Sequence, residues 1–463
     1  MLKINRLEPF KCKNSEFEFL GCDIYSDNNL SFLINSSNAS TILIKEDILK
    51  NLYKHELDEN LKFKLVQRGL ATFKNIHTNY TKLQYKYIPK HFCIEITQNC
   101  NLRCKYCFRD FKNPTQNTMS EKMIEKICNY IIRYCKKNKI NHILIQPWGG
   151  EPLLCLDKIL IIKKCFDDSG ISTQITVETN GTLITLEMAK TIHENNINIG
   201  ISLDGPEKIQ NFQRTYHNDK PTFEDIVKGI KNLNKVGHSF GILTVITNYS
   251  SDIVEDILDF FVKELKCNNM RLNMIHPSKD NIYNMTFDTD KADFFSDKLI
   301  NKLVSLNEEG HYVTESNVKT QLENLLVDTS GGFCKMQGCQ YGKLQVAFDS
   351  KGNIYPCELT QYSEEILGNV ENEDDLDCLI SNSNKKQSFF IKVRENQCKE
   401  CSFWYGCRGG CSSAVKYMNN PNVNIDLIQC SINRSIYPKL IELILNKPSI
   451  VEKLIKRKIN FIY

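Results

Sequence analysis

Three features that the sequence lacks limit its location and its partners. It has no apolar run of the roughly 20 residues that span a lipid bilayer, and its first residues, MLKINRLEPFKCKNSEFEF, lack the apolar core of a secretory signal. Its formal net charge is only +4, and no basic stripe interleaved with aromatic residues indicates nucleic-acid binding. We therefore expect a cytoplasmic protein with neither a membrane nor a nucleic acid among its partners.

The sequence also lacks internal repeats and low-complexity tracts, and between residues 92 and 308 it alternates two kinds of segment. Short apolar, β-branched runs predict strands, and longer amphipathic runs predict helices. The strands are predicted at 92–97, 142–147, 175–179, 197–203, 240–247 and 270–275, and the helices near 119–137, 156–168, 185–194, 222–236, 252–265 and 289–308. Six strand-helix units predict a parallel sheet with right-handed crossovers, either an open doubly wound sheet or an incomplete barrel.

Polar and glycine-containing motifs follow the carboxyl ends of the first four predicted strands. In chain order they are CNLRCKYC, GGEP, NG and DG. Side chains at that rim converge on one site in barrels, and they do so at the switch point of an open sheet. The rim is therefore expected to carry the chemistry.

The segments on either side of this region predict further domains. A chain of 463 residues with 41% hydrophobic content is long enough for two or three of them. In 1–88, alternating apolar runs precede two helical stretches, EDILKNLYKHE and ENLKFKLVQRG, which predicts a small α+β domain. Beyond residue 330 the chain is rich in cysteine and in turns, and SKG at 350–352 predicts a hairpin turn.

Twenty cysteines are unusual in a chain without an export signal. In a reducing cytosol, clustered cysteines are more often metal ligands or catalytic thiols than disulfides. Three fall within 100–107, and eight more, leaving Cys378 aside, fall from Cys334 to Cys430, mostly at short spacings. The other nine are predicted to be small buried hydrophobic residues. They are Cys12, Cys22, Cys93, Cys128, Cys135, Cys155, Cys165, Cys267 and Cys378.

The stretch CNLRCKYCF places Cys100, Cys104 and Cys107 at C-x3-C-x2-C spacing, with no further cysteine until Cys128. Structural zinc needs four protein ligands, and catalytic zinc favours mixtures with His or carboxylate. Three close thiolates at the rim of an α/β sheet fit a four-iron cluster that keeps one iron free for a small molecule. A redox-active thiol pair and a cluster completed by a distant cysteine are the alternatives.

With these motifs, residues 92–308 resemble the radical S-adenosylmethionine (SAM) enzymes, whose CxxxCxxC loop holds a SAM-binding [4Fe-4S] cluster. The resemblance implies a partial (β/α)6 TIM-like barrel with Cys100, Cys104 and Cys107 as iron ligands. It also implies contacts with SAM: Tyr106 beside the adenine, Gly149, Gly150 and Glu151 of GGEP near the methionine amino group, Ser202 and Asp204 at the ribose, and Arg214 at the carboxylate. The stretch ETNG, Glu178 to Gly181, matches the family as well. Each short motif alone would more often be a turn or a solvated residue, but here all of them occur in the family's order.

The later cysteines resemble the SPASM extension of peptide-modifying radical SAM enzymes. That likeness implies two auxiliary [4Fe-4S] clusters in addition to the SAM-binding one. The first would be held by Cys334, Cys339, Cys357 and Cys411, and the second by Cys398, Cys401, Cys407 and Cys430. Two zinc ribbons are the alternative; they are disfavoured because zinc has no redox chemistry.

Cys334 departs from the spacing of the family's pattern. Four residues separate it from Cys339, one fewer than in the anaerobic sulfatase-maturing pattern. Without Cys334, the first auxiliary cluster would keep an open iron that could bind a substrate thiolate.

The resemblance implies that the reduced cluster cleaves SAM to a 5'-deoxyadenosyl radical, which takes a hydrogen atom from the substrate. Two activities fit: thioether formation in a ribosomally made cysteine-rich peptide, which we favour, and formylglycine formation in a sulfatase. For the second, the family places an Asp base directly after a cluster cysteine, where this chain has Glu358. A non-catalytic iron–sulfur electron carrier or peptide-binding protein is an alternative of another class.

The resemblance also predicts domains and partners. Residues 1–88 would form a winged-helix-like domain that binds a leader peptide, 89–320 the radical SAM core, and 321–463 the SPASM domain. The N-terminal domain could equally be a structural cap. A precursor peptide would be the substrate, with the leader bound as an added strand, and a flavodoxin or ferredoxin the reductant.

Overall fold

The computed structural model describes twelve ranges of the chain. They are 3–12, 16–27, 29–35, 40–73, 88–109, 117–276, 285–326, 342–360, 363–372, 374–398, 400–417 and 424–459. Within these ranges, every helix is too short or too polar to cross a lipid bilayer.

The N-terminal region is built from two antiparallel sheets and two helices. Its elements are β1 Lys3–Leu7, β2 Phe10–Lys11, β3 Phe17–Phe19, β4 Cys22–Asp27, β5 Leu30–Ile34, β6 Thr41–Lys45, α1 Glu46–Lys54, α2 Glu59–Gln67 and β7 Ala71–Phe73. The sheet orders are β1-β4-β5-β6 and β2-β3-β7. Both predicted helices are therefore confirmed, as are the strands before them.

Both faces of the larger N-terminal sheet are buried. Successive residues of a strand point to opposite faces, and here apolar residues occur at successive positions. Ile24 and Leu33 belong to a small core with the helices of this region. Tyr25 and Phe32, one position away, belong to the main core of the molecule. This sheet is therefore packed between its own helices and the rest of the protein. The winged-helix-like description and the domain boundaries stay predictions.

The central region is the predicted succession of strands and helices. Its elements are β8 His91–Thr97, α3 Glu121–Lys137, β9 His142–Gly149, α4 Leu156–Asp167, β10 Ser172–Thr179, α5 Leu186–Glu194, β11 Asn198–Ser202, α6 Glu207–Gln213, α7 Phe223–Lys235, β12 Phe240–Ile246, α8 Val254–Asp259, β13 Asn269–Met274, α9 Ala292–Glu308, β14 Thr314–Glu315 and α10 Ser316–Leu326. Strands β8 to β14 pair in parallel, in chain order. The predicted strands and helices are confirmed, and the parallel sheet forms a partial barrel. Helices α6 and α10 and strand β14 were not predicted.

Along the barrel strands, side chains point alternately to the apolar core between the sheet and the helices and to the lumen of the barrel. In β10, Ile175 and Val177 are buried among the helices, whereas Glu178 points to the other face. In β13, Met270 and Leu272 are buried and Arg271 lies on the opposite face. The inner face is therefore polar and lines a space that a substrate could enter.

Three strands from the C-terminal region extend the barrel sheet. They are β15 Gln345–Phe348, β16 Asn353–Tyr355 and β17 Gly368–Asn369, and the first two form a hairpin. Strand β15 pairs in parallel with β8, and β16 then runs antiparallel to β15. The hairpin turn predicted at 350–352 is confirmed. Because β16 runs antiparallel to β15, the residues after Tyr355 lie at the end of the lumen where the parallel strands begin, which we call its amino-terminal end.

The remaining elements are helices. They are α11 Leu376–Cys398, α12 Trp404–Cys407, α13 Ser412–Tyr417, α14 Leu427–Asn446 and α15 Pro448–Ile455. Asp426 caps α14 by accepting from the Gln429 amide at 3.0 Å. Apolar residues of α14, among them Ile436 and Leu440, join the main core, which ties this helix to the barrel and the N-terminal sheet.

Candidate functional site

The loop with the first three cysteines begins where β8 ends at Thr97. Backbone hydrogen bonds attach it to the segment after α6: the Arg103 amide donates to the Thr215 carbonyl at 2.7 Å, and the Lys105 amide donates to the Gln213 carbonyl at 2.9 Å. These contacts place Arg214 directly beside the loop. The predicted SAM contact and the predicted iron loop are thus parts of one structure.

All three thiols, Cys100, Cys104 and Cys107, are partly buried in this loop. Burial raises the pKa of Cys100 to about 11 and the pKa of Cys104 to about 12, and it also raises that of Cys107. The positive charge of Arg214 lowers the pKa of each thiol, and Cys100 and Cys107 each raise that of Cys104. Three mutually close thiols next to one cation form a donor set that fits an iron–sulfur cluster.

Two glycines at the end of β9 allow the backbone to approach the cysteine loop. A methyl group on Gly149, whose φ is +147°, would lie 1.8 Å from the Thr97 carbonyl oxygen, and one on Gly150 would lie 2.2 Å from that of Asn99. The Gly150 amide donates to Thr97 O at 2.9 Å. Only glycine fits at these two positions.

Glu151, the acid of GGEP, is 1% exposed, and its carboxylate is bound by the chain. It accepts from the Leu153 amide at 3.0 Å, from Thr179 Oγ1 at 2.6 Å and from the Asn180 amide at 2.7 Å. Burial raises its pKa, and these three bonds lower it. Glu151 therefore connects the ends of β9 and β10, and its predicted contact with SAM stays a prediction.

A buried cluster of polar side chains surrounds Asp204, which follows β11. Asp204 accepts from Arg214 Nε at 3.0 Å and Nη2 at 3.1 Å, from the Tyr106 hydroxyl at 2.6 Å, and from Gln213 Nε2 at 2.8 Å. The Val245 amide donates to its second oxygen at 3.0 Å. Asp204 is fully buried and Arg214 is 8% exposed. The paired carboxylate orients Arg214 and Tyr106 together, while the predicted contact of Asp204 with ribose stays a prediction.

Ser202 is the last residue of β11 and lies on its inner face. It alternates with the buried residues Ile199 and Ile201, and its own side chain is partly exposed. It therefore lies at the rim that carries the cysteine loop, and its contact with SAM stays a prediction.

Glu358 lies at the opposite end of the lumen, just after the hairpin. Its Oε2 accepts from the Cys357 thiol at 3.2 Å, from the Cys93 thiol at 4.0 Å and from the Gln345 amide group. Burial raises its pKa, while its hydrogen bonds and the positive charge of Arg271 lower it. Along β8, Cys93 and Thr97 are about 13 Å apart, so the lumen separates Glu358 from the cysteine loop.

The second set of predicted cluster ligands converges. Cys398, Cys401, Cys407 and Cys430 line a single cavity. Asn433 Nδ2 donates to Cys407 Sγ at 3.1 Å. Burial raises the pKa of Cys398 to about 11. Four thiols around one cavity fit a cluster with a complete set of ligands.

The first set of predicted auxiliary ligands is only partly described. Ser413 Oγ donates to the Leu359 carbonyl at 2.9 Å, which brings the segment of Cys411 beside that of Cys357. Cys334 and Cys339 lie outside the described residues.

Sequence reasoning missed the polar surroundings of Cys93, which it grouped with the small buried hydrophobic residues. The side chain is indeed 1% exposed. Its sulfur, however, lies 3.7 Å from His91 Nε2 and 3.8 Å from Gln146 Oε1, in addition to Glu358. The inward position of Cys93, two residues from each of the polar residues His91 and Glu95, was the signal that could have revealed these neighbours.

Comparison with known proteins gives a family match in the barrel region. The model of the radical SAM superfamily matches residues 94–261. A cysteine-type anaerobic sulfatase-maturating enzyme of Clostridium novyi is 28% identical over 353 residues, covering 74% of this chain and 92% of that enzyme. An uncharacterized protein of Methanocaldococcus jannaschii is 35% identical over 220 residues, which cover 46% of this chain and 71% of that protein.

Two solved structures with bound peptides are similar in fold. Native anSMEcpe with bound AdoMet and Cp18Cys peptide has a TM-score of 0.67 and 23% identity, covering 77% of this chain and 98% of that one. Streptococcus suis SuiB bound to precursor peptide SuiA has a TM-score of 0.53 and 19% identity, covering 85% and 94%. At these identities the likeness shows the shared fold.

Proposed function

The chain belongs to the radical SAM superfamily of enzymes, and from this premise we propose that it is a peptide maturase that forms thioether crosslinks in a ribosomally made, cysteine-rich peptide. Membership implies a [4Fe-4S] cluster and SAM as cofactors. It also removes the alternative of a non-catalytic electron carrier. When bound, the reduced cluster and SAM supply a 5'-deoxyadenosyl radical that takes a hydrogen atom from an unactivated carbon.

The residues at the rim would bind and orient the cofactor. Cys100, Cys104 and Cys107 would hold the cluster. Arg214 would meet the SAM carboxylate through Nη1, because Nε and Nη2 are already bound to Asp204. Tyr106, held by the same Asp204, would pack beside the adenine. The buried ion pair thus fixes two SAM contacts before SAM arrives.

At the other end of the lumen, Glu358 would accept a proton from the substrate thiol as the new bond forms. Its carboxylate is close to the lumen and to Cys357, one of the proposed ligands of the first auxiliary cluster. When bound, the two auxiliary clusters would supply an electron acceptor, the first held in part by Cys357 and Cys411 and the second by Cys398, Cys401, Cys407 and Cys430. A flavodoxin or ferredoxin would be the reductant of the SAM-binding cluster, and we propose a cytoplasmic location.

The N-terminal region is the observation that carries the peptide proposal. Asp23 accepts a hydrogen bond from the Ser402 hydroxyl, and Tyr25 packs on Phe403 with ring centroids 6.2 Å apart. Residues 1–88 therefore contact the cysteine-rich region, 321–463, directly. A winged-helix-like leader-binding domain at this position could deliver the rest of a peptide to the barrel, 89–320. The peptide bound to SuiB is consistent with such a substrate.

Formylglycine formation is the second candidate. It is favoured by the 28% identity to a cysteine-type sulfatase-maturating enzyme over most of that enzyme's length. In that activity Glu358 would take the place of the Asp base, one methylene longer.

Anaerobic coexpression with cysteine-rich peptides from neighbouring open reading frames distinguishes the two candidates. Each thioether should lower the peptide mass by two hydrogen atoms and protect one cysteine from alkylation. Formylglycine formation from cysteine instead removes the sulfur and two hydrogen atoms and adds one oxygen, which creates an aldehyde that reacts with hydrazides. An unmodified peptide, together with an aldehyde in a coexpressed sulfatase, would contradict the thioether proposal.

A further inference from the structure

Two glycines lie side by side on the inner wall of the barrel. Gly200 of β11 pairs with Gly241 of β12. Gly200 lies between Ile199 and Ile201, and Gly241 precedes Ile242, and these three isoleucines pack into the main core. Because successive residues of a strand point to opposite faces, both glycines face the lumen. The wall of the barrel therefore carries no side chain at two neighbouring positions.

The backbone does not require glycine at either position, since neither residue has a positive φ. At Gly200, packing accounts for the choice: an added methyl group would lie 2.5 Å from Cδ1 of Leu243. At Gly241, the one described atom within 4 Å of such a methyl group is the Asn269 carbonyl oxygen, at 3.6 Å. A glycine inside a strand weakens the sheet and often marks a place where a ligand or another backbone approaches closely. The lumen therefore has a recess at Gly241 that packing leaves unexplained.

Opposite charges lie on the two sides of this recess. Glu178 of β10 pairs with Gly200, and Arg271 of β13 pairs with Leu243, two residues after Gly241. Both charged side chains are exposed, although they lie on the inner face of the barrel. The lumen is therefore open at the recess, and a ligand there could reach both charges.

Within the described ranges, the side chains of Glu178 and Arg271 form no hydrogen bond or ion pair with another residue. Enclosure within the barrel raises the pKa of Glu178, the positive charge of Arg271 lowers it, and the negative charge of Glu358 raises it. Glu178 is therefore near both of these groups. A carboxylate only accepts hydrogen bonds and a guanidinium only donates them, so the two side chains together suit a ligand that has both a donor and an acceptor.

We propose that the recess at Gly241 binds the main chain of the substrate peptide, with one peptide N–H donated to Glu178 and one peptide carbonyl accepting from Arg271. The inference rests on the proposed function and adds the site that holds its substrate. The missing side chain lets the peptide backbone lie against the barrel wall. Because nearly every residue has one N–H and one carbonyl, the site would hold the peptide in place without selecting its sequence.

The recess lies between the two groups that are proposed to act on the substrate. Gly200 is two residues before Ser202, which lies at the rim that carries the cysteine loop. On the other side, Glu358 is near enough for its charge to act on Glu178. A peptide segment in the recess would therefore have the predicted SAM site on one side and the proposed base on the other.

The test measures binding of an uncharged probe, the capped peptide acetyl-Ala-Gly-Ala-Cys-Ala-Gly-Ala-amide. A matched probe carries N-methyl groups on the cysteine and on the alanine after it, which removes two N–H donors. Anaerobic calorimetry uses the reconstituted enzyme with SAM and without reductant, so that no turnover occurs. The wild type should bind the unmethylated probe more tightly by about tenfold or more, the worth of a hydrogen bond to a charged group.

Three variants test the site itself. Glu178→Met keeps the length of the side chain but removes the acceptor, so it should bind the two probes with equal affinity. Arg271→Met should weaken the binding of both probes. Gly241→Val fills the recess with a residue that strands favour, and it should weaken the binding of both by about tenfold or more.

Glu187→Met is the matched control, because Glu187 is exposed in the first turn of α5 and should bind both probes as the wild type does. Thermal unfolding and iron content show whether each variant is folded and loaded. A wild type that binds neither probe, or both equally, would overturn the inference, and so would a Gly241→Val enzyme with wild-type affinity. Each of these results leaves thioether formation in coexpressed peptides as a separate question. Binding as expected, without a thioether in any coexpressed peptide, would contradict the proposed function alone.

Discussion

Asp204 has more hydrogen-bond donors around it than a carboxylate in a surface turn would have. Arg214, Tyr106 and Gln213 all donate to it, and it is completely buried. A buried ion pair is costly to break because the remaining charge is left without a partner. The sequence identified Asp204 as a functional candidate, but its pairing with Arg214 became visible only in the folded chain.

Asp204→Asn should therefore affect both stability and cofactor binding. The amide cannot neutralise Arg214, so we expect a loss of about 3–5 kcal/mol in the free energy of unfolding. SAM affinity should fall as well, because Arg214 and Tyr106 are no longer held in place. Anaerobic denaturant unfolding and equilibrium binding of SAM measure the two effects.

Asp225→Asn is the matched control for that substitution. Asp225 accepts from the Tyr216 hydroxyl at 2.7 Å in an exposed contact. Its replacement should change stability by no more than about 0.5 kcal/mol. If Asp204→Asn were equally mild, the buried pair would not organise the site.

Glu358→Gln tests the proposed base. The substitution keeps the size of the side chain but removes its ability to accept a proton, so product formation should fall by about 10²-fold or more. The Cys357 thiol and the barrel are unchanged, so iron content and SAM binding should match the wild type. Mass spectrometry of the peptide and assay of bound iron give both readouts.

The matched control for Glu358→Gln is Glu371→Gln. Glu371 is an exposed carboxylate that pairs with Lys126 on the surface. Its substitution should leave the rate unchanged. A Glu358→Gln enzyme that turned over peptide at the wild-type rate would show that another group accepts the proton.

At the residue scale, sequence reasoning found positions more readily than partners. The residues of CNLRCKYC, GGEP and SLDG lie at the predicted rim because each motif directly follows its own strand. Cys93 could not be connected with Glu358 in this way. Their contact depends on the pairing of β15 with β8, more than 200 residues apart in the chain, and local patterns carry no information on such a register.

At the scale of elements, the turn between β9 and α4 is the part most sensitive to added volume. Gly150→Ala would place a methyl group 2.2 Å from the Asn99 carbonyl oxygen. Backbone atoms cannot move aside as a flexible side chain does, so we expect a loss of about 1–3 kcal/mol in stability. The cysteine loop should shift with Asn99 and hold less iron after reconstitution.

Gly241→Ala provides the control for Gly150→Ala. A methyl group at Gly241, in β12, would have its nearest neighbour at 3.6 Å, an ordinary contact. That variant should keep its iron and its unfolding midpoint. Equal iron in the two variants would mean that the loop does not depend on the close approach at Gly150.

Most helices and strands of the barrel were predictable because their periodicity is local. Amphipathic runs gave α3, α5, α7 and α9, and β-branched runs gave β8 to β13. The hairpin turn before β16 was also predictable from SKG. Three elements were missed: α6, which is only seven residues long, the edge strand β14, which has two residues, and α10, which has 11 residues. Segments as short as α6 and β14 have no recognisable period.

At the scale of the whole molecule, the N-terminal sheet and the cysteine cavity share an interface. Phe403 lies two residues after Cys401 and stacks on Tyr437 of α14, with ring centroids 4.7 Å apart. On its other side, Phe403 contacts Tyr25 of β4. The sequence could predict a small α+β domain and a cysteine-rich segment, but not that they touch, because that contact joins residues almost 400 positions apart.

This interface leads to a prediction about metal removal. If Cys398, Cys401, Cys407 and Cys430 hold a cluster, it fixes the turn that carries Ser402 and Phe403, since metal binding stabilises the segment that provides its ligands. Chelation of iron should therefore speed amide hydrogen exchange by about tenfold or more in β4 and in residues 400–407. Strands β9 to β11 should exchange as before, because their core is formed by aliphatic side chains.

In the Cys100, Cys104 and Cys107 alanine variant, which lacks only the SAM-binding cluster, β4 should stay protected. Uniform loss of protection across the barrel would instead mean that iron stabilises the whole fold and not this contact.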